Sequence, residues 1–165
     1  MSKIVIIKEA DEENFDEIWR IFQDVIEAGE TYANDASTTK EEAYQKWFAK
    51  NAKTFVAKID DKIVGAYLIK PNHVGRSSHI ANCSFIVDKN SRGNGVGKKI
   101  GAHAIEFAKN AGYKAIQYNF VVSTNKVAIA LWQSLGFEII GTIPQAFNHK
   151  NLGLVDAYIM FLAIS

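Results

Sequence analysis

Arg92, Gly93, Asn94, Gly95, Val96, Gly97, Lys98 and Lys99 follow one another in a short polar run. Glycine at three alternate positions removes side chains that would keep a ligand off the backbone, and it allows positive φ. The run joins an apolar stretch ending at Val87 to a segment whose apolar residues, from Val96 onward, recur at helical steps. The first-turn N–H groups of such a helix have no partners within it and carry partial positive charge, so they suit a phosphate. Arg92, Lys98 and Lys99 add cations around the same point. Two common phosphate loops do not match. A P-loop needs its first glycine at position 92 and a hydroxyl at position 99, which are Arg and Lys here. A Gly-x-Gly-x-x-Gly fingerprint starting at Gly93 meets Lys98 at its sixth position.

Asn82 and Asn119 are the next residues of note. Asparagine is depleted in strands, yet both fall in the middle of apolar, β-rich runs. A buried carboxamide needs hydrogen-bond partners. Either the two stitch neighbouring strands together, or they face a ligand.

The elements that must position these groups follow from periodicity. Residues 3–8 read as a strand. Phe15, Ile18, Trp19, Phe22, Val25 and Ile26 mark an amphipathic helix over 11–27, stopped by Gly29. Thr38 or Thr39 with Glu41 and Glu42 opens a second helix. Residues 53–59 and 62–70 alternate as a hairpin about Asp60-Asp61, and 79–88 is a further strand. A helix after the glycine-rich run ends at Gly112, 114–122 is a strand, 125–135 a helix, and 137–143 and 153–163 are two final strands. The order β-α-α-β-β-β-α-β-α-β-β predicts a mixed α/β (α+β) fold: a mostly antiparallel sheet of about seven strands with helices on both faces. With no repeat, no low-complexity linker and two prolines in 165 residues, the chain is expected to form one domain, 1–165.

Composition excludes several classes. A net charge of +1 gives no global attraction to nucleic acid or anionic membrane. Cys83 is the only cysteine, so no internal disulfide or cysteine-based metal site is expected, and no metal is expected at all. No apolar run is long enough to span a bilayer. The N-terminal Met1-Ser2-Lys3-Ile4-Val5 reads as neither a signal nor a transit peptide, so the cytoplasm is the expected compartment.

What the loop does match is Arg-x-x-Gly-x-Gly, at Arg92, Gly95 and Gly97. Downstream, Asn125-x-x-Ala128-x-x-Leu131-Trp132-x-x-Leu135-Gly136-Phe137 resembles a second segment of the same family, the GNAT N-acetyltransferases. The element order resembles that fold over the whole chain. More narrowly, Glu30-Thr31-Tyr32, Lys70-Pro71-Asn72, Ala81-Asn82-Cys83, Tyr118-Asn119-Phe120-Val121-Val122 and Val155-Asp156-Ala157 are similar to the phosphinothricin-type and proline-analogue acetyltransferases.

The resemblance implies a direct transfer of the acetyl group of acetyl-CoA (coenzyme A as co-substrate) to the amine of a small molecule such as an amino acid or its analogue. It leaves a protein N-terminus or lysine as the alternative acceptor, or a non-catalytic acyl-CoA sensor. A homodimer is implied too. Arg92, Gly93, Asn94, Gly95, Val96, Gly97 and Lys98 would hold the pyrophosphate. Phe85, Ile86 and Val87 would offer their backbone to the pantetheine arm where two parallel strands splay, the first of them carrying a bulge. Asn125, Ala128 and Trp132 would complete the cofactor site.

An ammonium cannot attack a thioester, so the acceptor must lose a proton. Glu30 is the leading candidate for base or amine recognition, set against a solvated loop acid, with Thr31, Tyr32, Asn82 and Asn119 as acceptor or thioester contacts. Trp132 stands where the family usually has a tyrosine that protonates the leaving thiolate. Indole is no useful acid, which leaves an unprotonated departure, a water or Tyr118. Cys83 as an acetyl-enzyme nucleophile is set against a core cysteine. The histidines His73, His79, His103 and His149 carry no clear signal.

Overall fold

The computed structural model describes residues 3–164, so Met1, Ser2 and Ser165 at the ends of the expected domain lie outside the described residues. The fold class is the expected one. Strands β1 (Ile6–Glu9), β2 (Lys53–Ile59), β3 (Lys62–Pro71), β4 (Ile80–Val87), β5 (Ala115–Val122), β6 (Glu138–His149) and β7 (Gly153–Ala163) form one seven-stranded sheet in the order β1-β2-β3-β4-β5-β7-β6. Every neighbouring pair is antiparallel except β4 with β5.

Four helices cover its faces: α1 (Phe15–Ala28), α2 (Lys40–Trp47), α3 (Val96–Asn110) and α4 (Lys126–Ser134). Phe22 of α1 and Trp47 of α2 pack with Ile63, Leu68 and Ile86 on one face, and Ile100 of α3 and Trp132 of α4 with Cys83, Ile116 and Tyr118 on the other.

Local chemistry sets the boundaries. Asp11 caps a 3-10 turn before α1, which shortens the expected helix at its start, and Gly29 ends it in the left-handed conformation at φ 63°. Thr39 and Glu42 form the capping box of α2. Asp60 and Asp61 both take positive φ, as the tight hairpin requires.

Strand β6 is longer than expected. It runs on to His149 through a register break between Ile143 and Phe147, where Gln145 takes φ 49° and its N–H donates to Asp156 Oδ1. An irregular segment held by a side-chain acceptor has no period to reveal it.

The site-forming feature lies between β4 and β5. They pair only at Ile80 with Ala115 and Ala81 with Ile116, then separate. The resemblance placed a bulge in β4. Instead β4 keeps unbroken register with β3, and the irregularity is in β5, where Asn119 and Phe120 drop out of the pairing with β7.

Candidate functional site

Alternation of the β3–β4 ladder decides which backbone groups face the gap. Asn72 N–H donates to Ile80 O and Asp88 N–H to Val64 O, so even-numbered residues of β4 bond to β3. Odd-numbered residues, among them Cys83, Phe85 and Val87, turn their N–H and C=O toward β5. Phe85 and Val87 therefore take up the expected orientation. Ile86 does not: it lies in the ladder opposite Ala66, and its side chain is 2% exposed in the α1–α2 core. Adjacent residues of a strand cannot both face the same neighbour.

At the mouth of this gap the chain turns through the glycine-rich run. Asp88, buried at 1% exposure, anchors it: its carboxylate accepts from Asn90 N–H at 3.0 Å and from Arg20 at 3.1 Å. Burial works to raise its pKa, but these donors and the Arg20 charge outweigh it and hold the carboxyl below its ordinary value. The sequence reading did not assign Asp88 or Arg20 a role; the acid closing an apolar strand was the available signal.

Gly93 and Gly95 take φ 84° and 75°, and a Cβ on either would meet open space. Gly95 is the N-cap of α3 and no side chain bonds its first turn. Four N–H groups at such an end normally find a cap, water or a ligand. Among the described residues, none of Arg92, Lys98 and Lys99 pairs with a carboxylate. The loop is thus a backbone cradle with uncompensated positive charge.

Not every residue of the run faces outward. Val96 is buried beside Gly65, and Asn94 uses its amide on Ser91 O at 3.2 Å. Gly97 takes no positive φ; a Cβ there would lie 3.2 Å from Leu131 Cδ2, so its smallness also lets α4 approach.

On α4, Asn125 caps its own helix, its Oδ1 accepting from Ala128 N–H at 3.3 Å. Trp132 is buried, its ring 4.7 Å from that of Phe85 and 4.8 Å from that of Tyr118, and it fills the space above Gly101. It packs in the core against β4. The Tyr118 hydroxyl is buried with no hydrogen-bond partner, and burial, with Cys83 and Tyr67 nearby, raises its pKa well above the usual phenol value. Burial likewise pushes the Cys83 thiol far up, so Cys83 is the core thiol, not an activated nucleophile.

Asn119 corrects the expectation of a buried pair. It is exposed, because the β5 irregularity turns it outward, and its Nδ2 donates to Asn72 Oδ1 at 2.7 Å. Asn82 is half-buried opposite Lys70, not bonded to Asn119.

Glu30 and Thr31 line a cavity of about 200 Å³ together with Thr124, Asn125, Lys126, Val127 and His149. Tyr32, one residue on, donates its hydroxyl to Phe85 O at 3.1 Å, so the loop that edges the cavity also touches the gap. Of the aromatics after α1, Tyr32 reaches the site, whereas Trp47 is fully buried core. His149 is the group the sequence did not single out. Nothing local marks it, because it meets Glu30 only through the fold. Among the described residues no group of three or more metal-ligating side chains is present, and no helix is long and apolar enough to cross a membrane.

Residues 12–137 match the acetyltransferase (GNAT) family. N-acetyltransferase aca1 of Schizosaccharomyces pombe is 36% identical over 151 residues, spanning 81% of this chain and 72% of that protein. The L-amino acid N-acetyltransferase AaaT of Escherichia coli is 33% identical over 109 residues, 66% of each chain. The solved GCN5-related N-acetyltransferase from Kribbella flavida superposes with a TM-score of 0.92 at 38% identity, covering 96% of this chain and 97% of that one. A glycine cradle at an uncapped helix, opening on a strand pair that parts after two residues, is found in a chain of this ancestry: the protein belongs to the acetyltransferase (GNAT) family and is an acetyl-CoA-dependent acyltransferase.

Proposed function

We propose that the chain is a single-domain N-acetyltransferase whose acceptor is the amine of a small molecule, an amino acid or a close analogue. The observation that carries this is the position of the 200 Å³ cavity: it is edged by the same loop whose Tyr32 touches the cofactor strand. Drug-sized ligands occupy roughly 300–1,000 Å³, so a cavity of about 200 Å³ suits an acceptor of few heavy atoms. The L-amino acid acceptor in the name of the Escherichia coli relative supports the same class.

Bound acetyl-CoA supplies the acyl thioester. The uncapped first turn of α3 and the Arg92–Lys98 loop fit its pyrophosphate, and Phe85 and Val87 fit its pantetheine amides through the backbone groups that β5 leaves unpaired. Glu30 receives the acceptor ammonium and takes its proton. The freed amine nitrogen bonds to the acyl carbon as the carbon–sulfur bond breaks, the electron pair leaves on sulfur, and the second proton on nitrogen passes to the departing thiolate or to water. A backbone N–H facing the gap at Phe85 or Val87 stabilises the carbonyl oxygen as its charge develops. Transfer is direct, since Cys83 is held as a neutral thiol.

A thiol-release assay with amino acids, their analogues and polyamines tests the reading. Acetyl-CoA-dependent release with at least one small amine, reduced by Glu30→Gln, is expected. Tight acetyl-CoA binding in calorimetry without turnover on any of them would overturn it. A homodimer, implied by the resemblance, is read by light scattering.

A further inference from the structure

We infer that His149 is a specificity residue of the acceptor cavity, and that its imidazole recognises the carboxylate of an α-amino acid; this rests on the proposed acceptor reading above.

The ring is fixed by its own hairpin. His149 ends β6, and its Nδ1 accepts from the N–H groups of Asn151 and Leu152 at 3.1 and 3.2 Å. A nitrogen that accepts two bonds carries no proton, so the proton of the neutral ring is on Nε2. Nε2 has no protein partner among the described residues, and His149 is one of the residues that line the cavity. A ring held in this way offers the Nε2–H as its free donor to an acceptor in the cavity.

The remaining walls divide by sign. Glu30 offers only acceptor oxygens, which suit an ammonium. Lys126, Thr31 and Thr124, which line the same cavity as His149, bring positive charge and hydroxyl donors. One acidic group and several donors lining the same cavity suit a molecule carrying both an ammonium and a carboxylate, as an α-amino acid does. An amine without the carboxylate would forgo the charge-assisted bond from His149 Nε2–H.

The hairpin is held where this requires. Lys150 N–H donates to Gly29 O at 3.0 Å, which brings His149 against the loop that carries Glu30.

The test compares an amino acid with its decarboxylated amine, both acetylated by the full chain. Wild type is expected to favour the amino acid by about tenfold or more in kcat/KM, the size of one hydrogen bond to a charged group. His149→Asn keeps an oxygen near the Nδ1 position for the hairpin N–H groups and removes the Nε2 donor. It should raise KM for the amino acid about tenfold, with kcat and the decarboxylated amine little changed. Equal loss on both acceptors, or no discrimination by wild type, overturns the assignment while leaving the transferase reading intact. Wild-type discrimination needs no variant, so a misfolded His149→Asn does not block the test. Failure of wild type to acetylate either class overturns the acceptor reading and this inference together.

Discussion

The carbonyl of Gly29, the residue that ends α1, accepts a hydrogen bond of 3.0 Å from the N–H of Lys150 in the β6–β7 turn. A Cβ on Gly29 would lie 3.0 Å from Lys150 Cβ, and the residue sits at φ 63°. Two segments more than a hundred positions apart are locked there, and between them lies the candidate acceptor cavity.

Gly29→Ala should therefore do two things. Left-handed φ costs a residue with a Cβ about 1–2 kcal/mol, and the contact with Lys150 adds to it. Urea unfolding should show a loss of at least that size, and the acceptor KM should rise while acetyl-CoA affinity changes little.

The proposed pyrophosphate cradle gives the converse pattern. A side chain at Gly95 meets no neighbour within 4 Å, so Gly95→Trp would project into the space the cradle encloses. Calorimetry is expected to show acetyl-CoA affinity falling by more than about tenfold, or 1.4 kcal/mol. Arg92→Ala, which removes one exposed cation, should weaken binding less and reduce its salt dependence.

Cys83 is a core residue with its thiol raised far above its ordinary range by burial. Cys83→Ala should keep kcat within about twofold and lose about 1–2 kcal/mol of stability through the small cavity it leaves. Mass spectrometry after incubation with acetyl-CoA should find no acetylated enzyme; an adduct on Cys83 would refute direct transfer.

Lys46 supplies a pH signature. Its Nζ lies 4.7 Å from the Tyr32 ring centroid and 5.3 Å from that of Phe22. Burial, with the charge of Lys70, pushes its pKa down to about 8 from 10.5. Between those two values the unfolded chain holds the proton more tightly, so this group makes stability rise with pH. Below about 8 the folded state carries the whole cost of the desolvated cation. Lys46→Met should stabilise the protein most below pH 8, and the gain should vanish above about 10.5, measured by unfolding at several pH values.

The orphaned Tyr118 hydroxyl predicts a gain in stability on its removal. An unsatisfied buried polar group costs about 1–3 kcal/mol, so Tyr118→Phe should raise the unfolding free energy by about 1 kcal/mol. Unchanged kcat in that variant excludes Tyr118 as the acid for the leaving thiolate and leaves a water or an unprotonated departure.

Much of the fold was legible because local rules and tertiary structure agree. The steps of Phe15, Ile18 and Phe22, the Thr39–Glu42 capping box and the Asp60-Asp61 turn each specify their geometry from neighbours in sequence. The cradle was legible for the same reason: glycines before a helix dictate bare amides over a few residues. Periodicity could not show the far half of β6, whose register breaks at Gln145, nor the outward turn of Asn119, which depends on how β5 meets β7.

By itself, then, the order of residues determined the elements, their helical or strand character and the glycine-rich loop of bare amides, since those interactions span a few positions. The tertiary structure alone decided which backbone amides face the β4–β5 gap, that Ile86 is not among them, and that His149 meets Glu30 across one cavity. Strand register and long-range docking are set by many weak contacts acting together. No short stretch of the chain contains them.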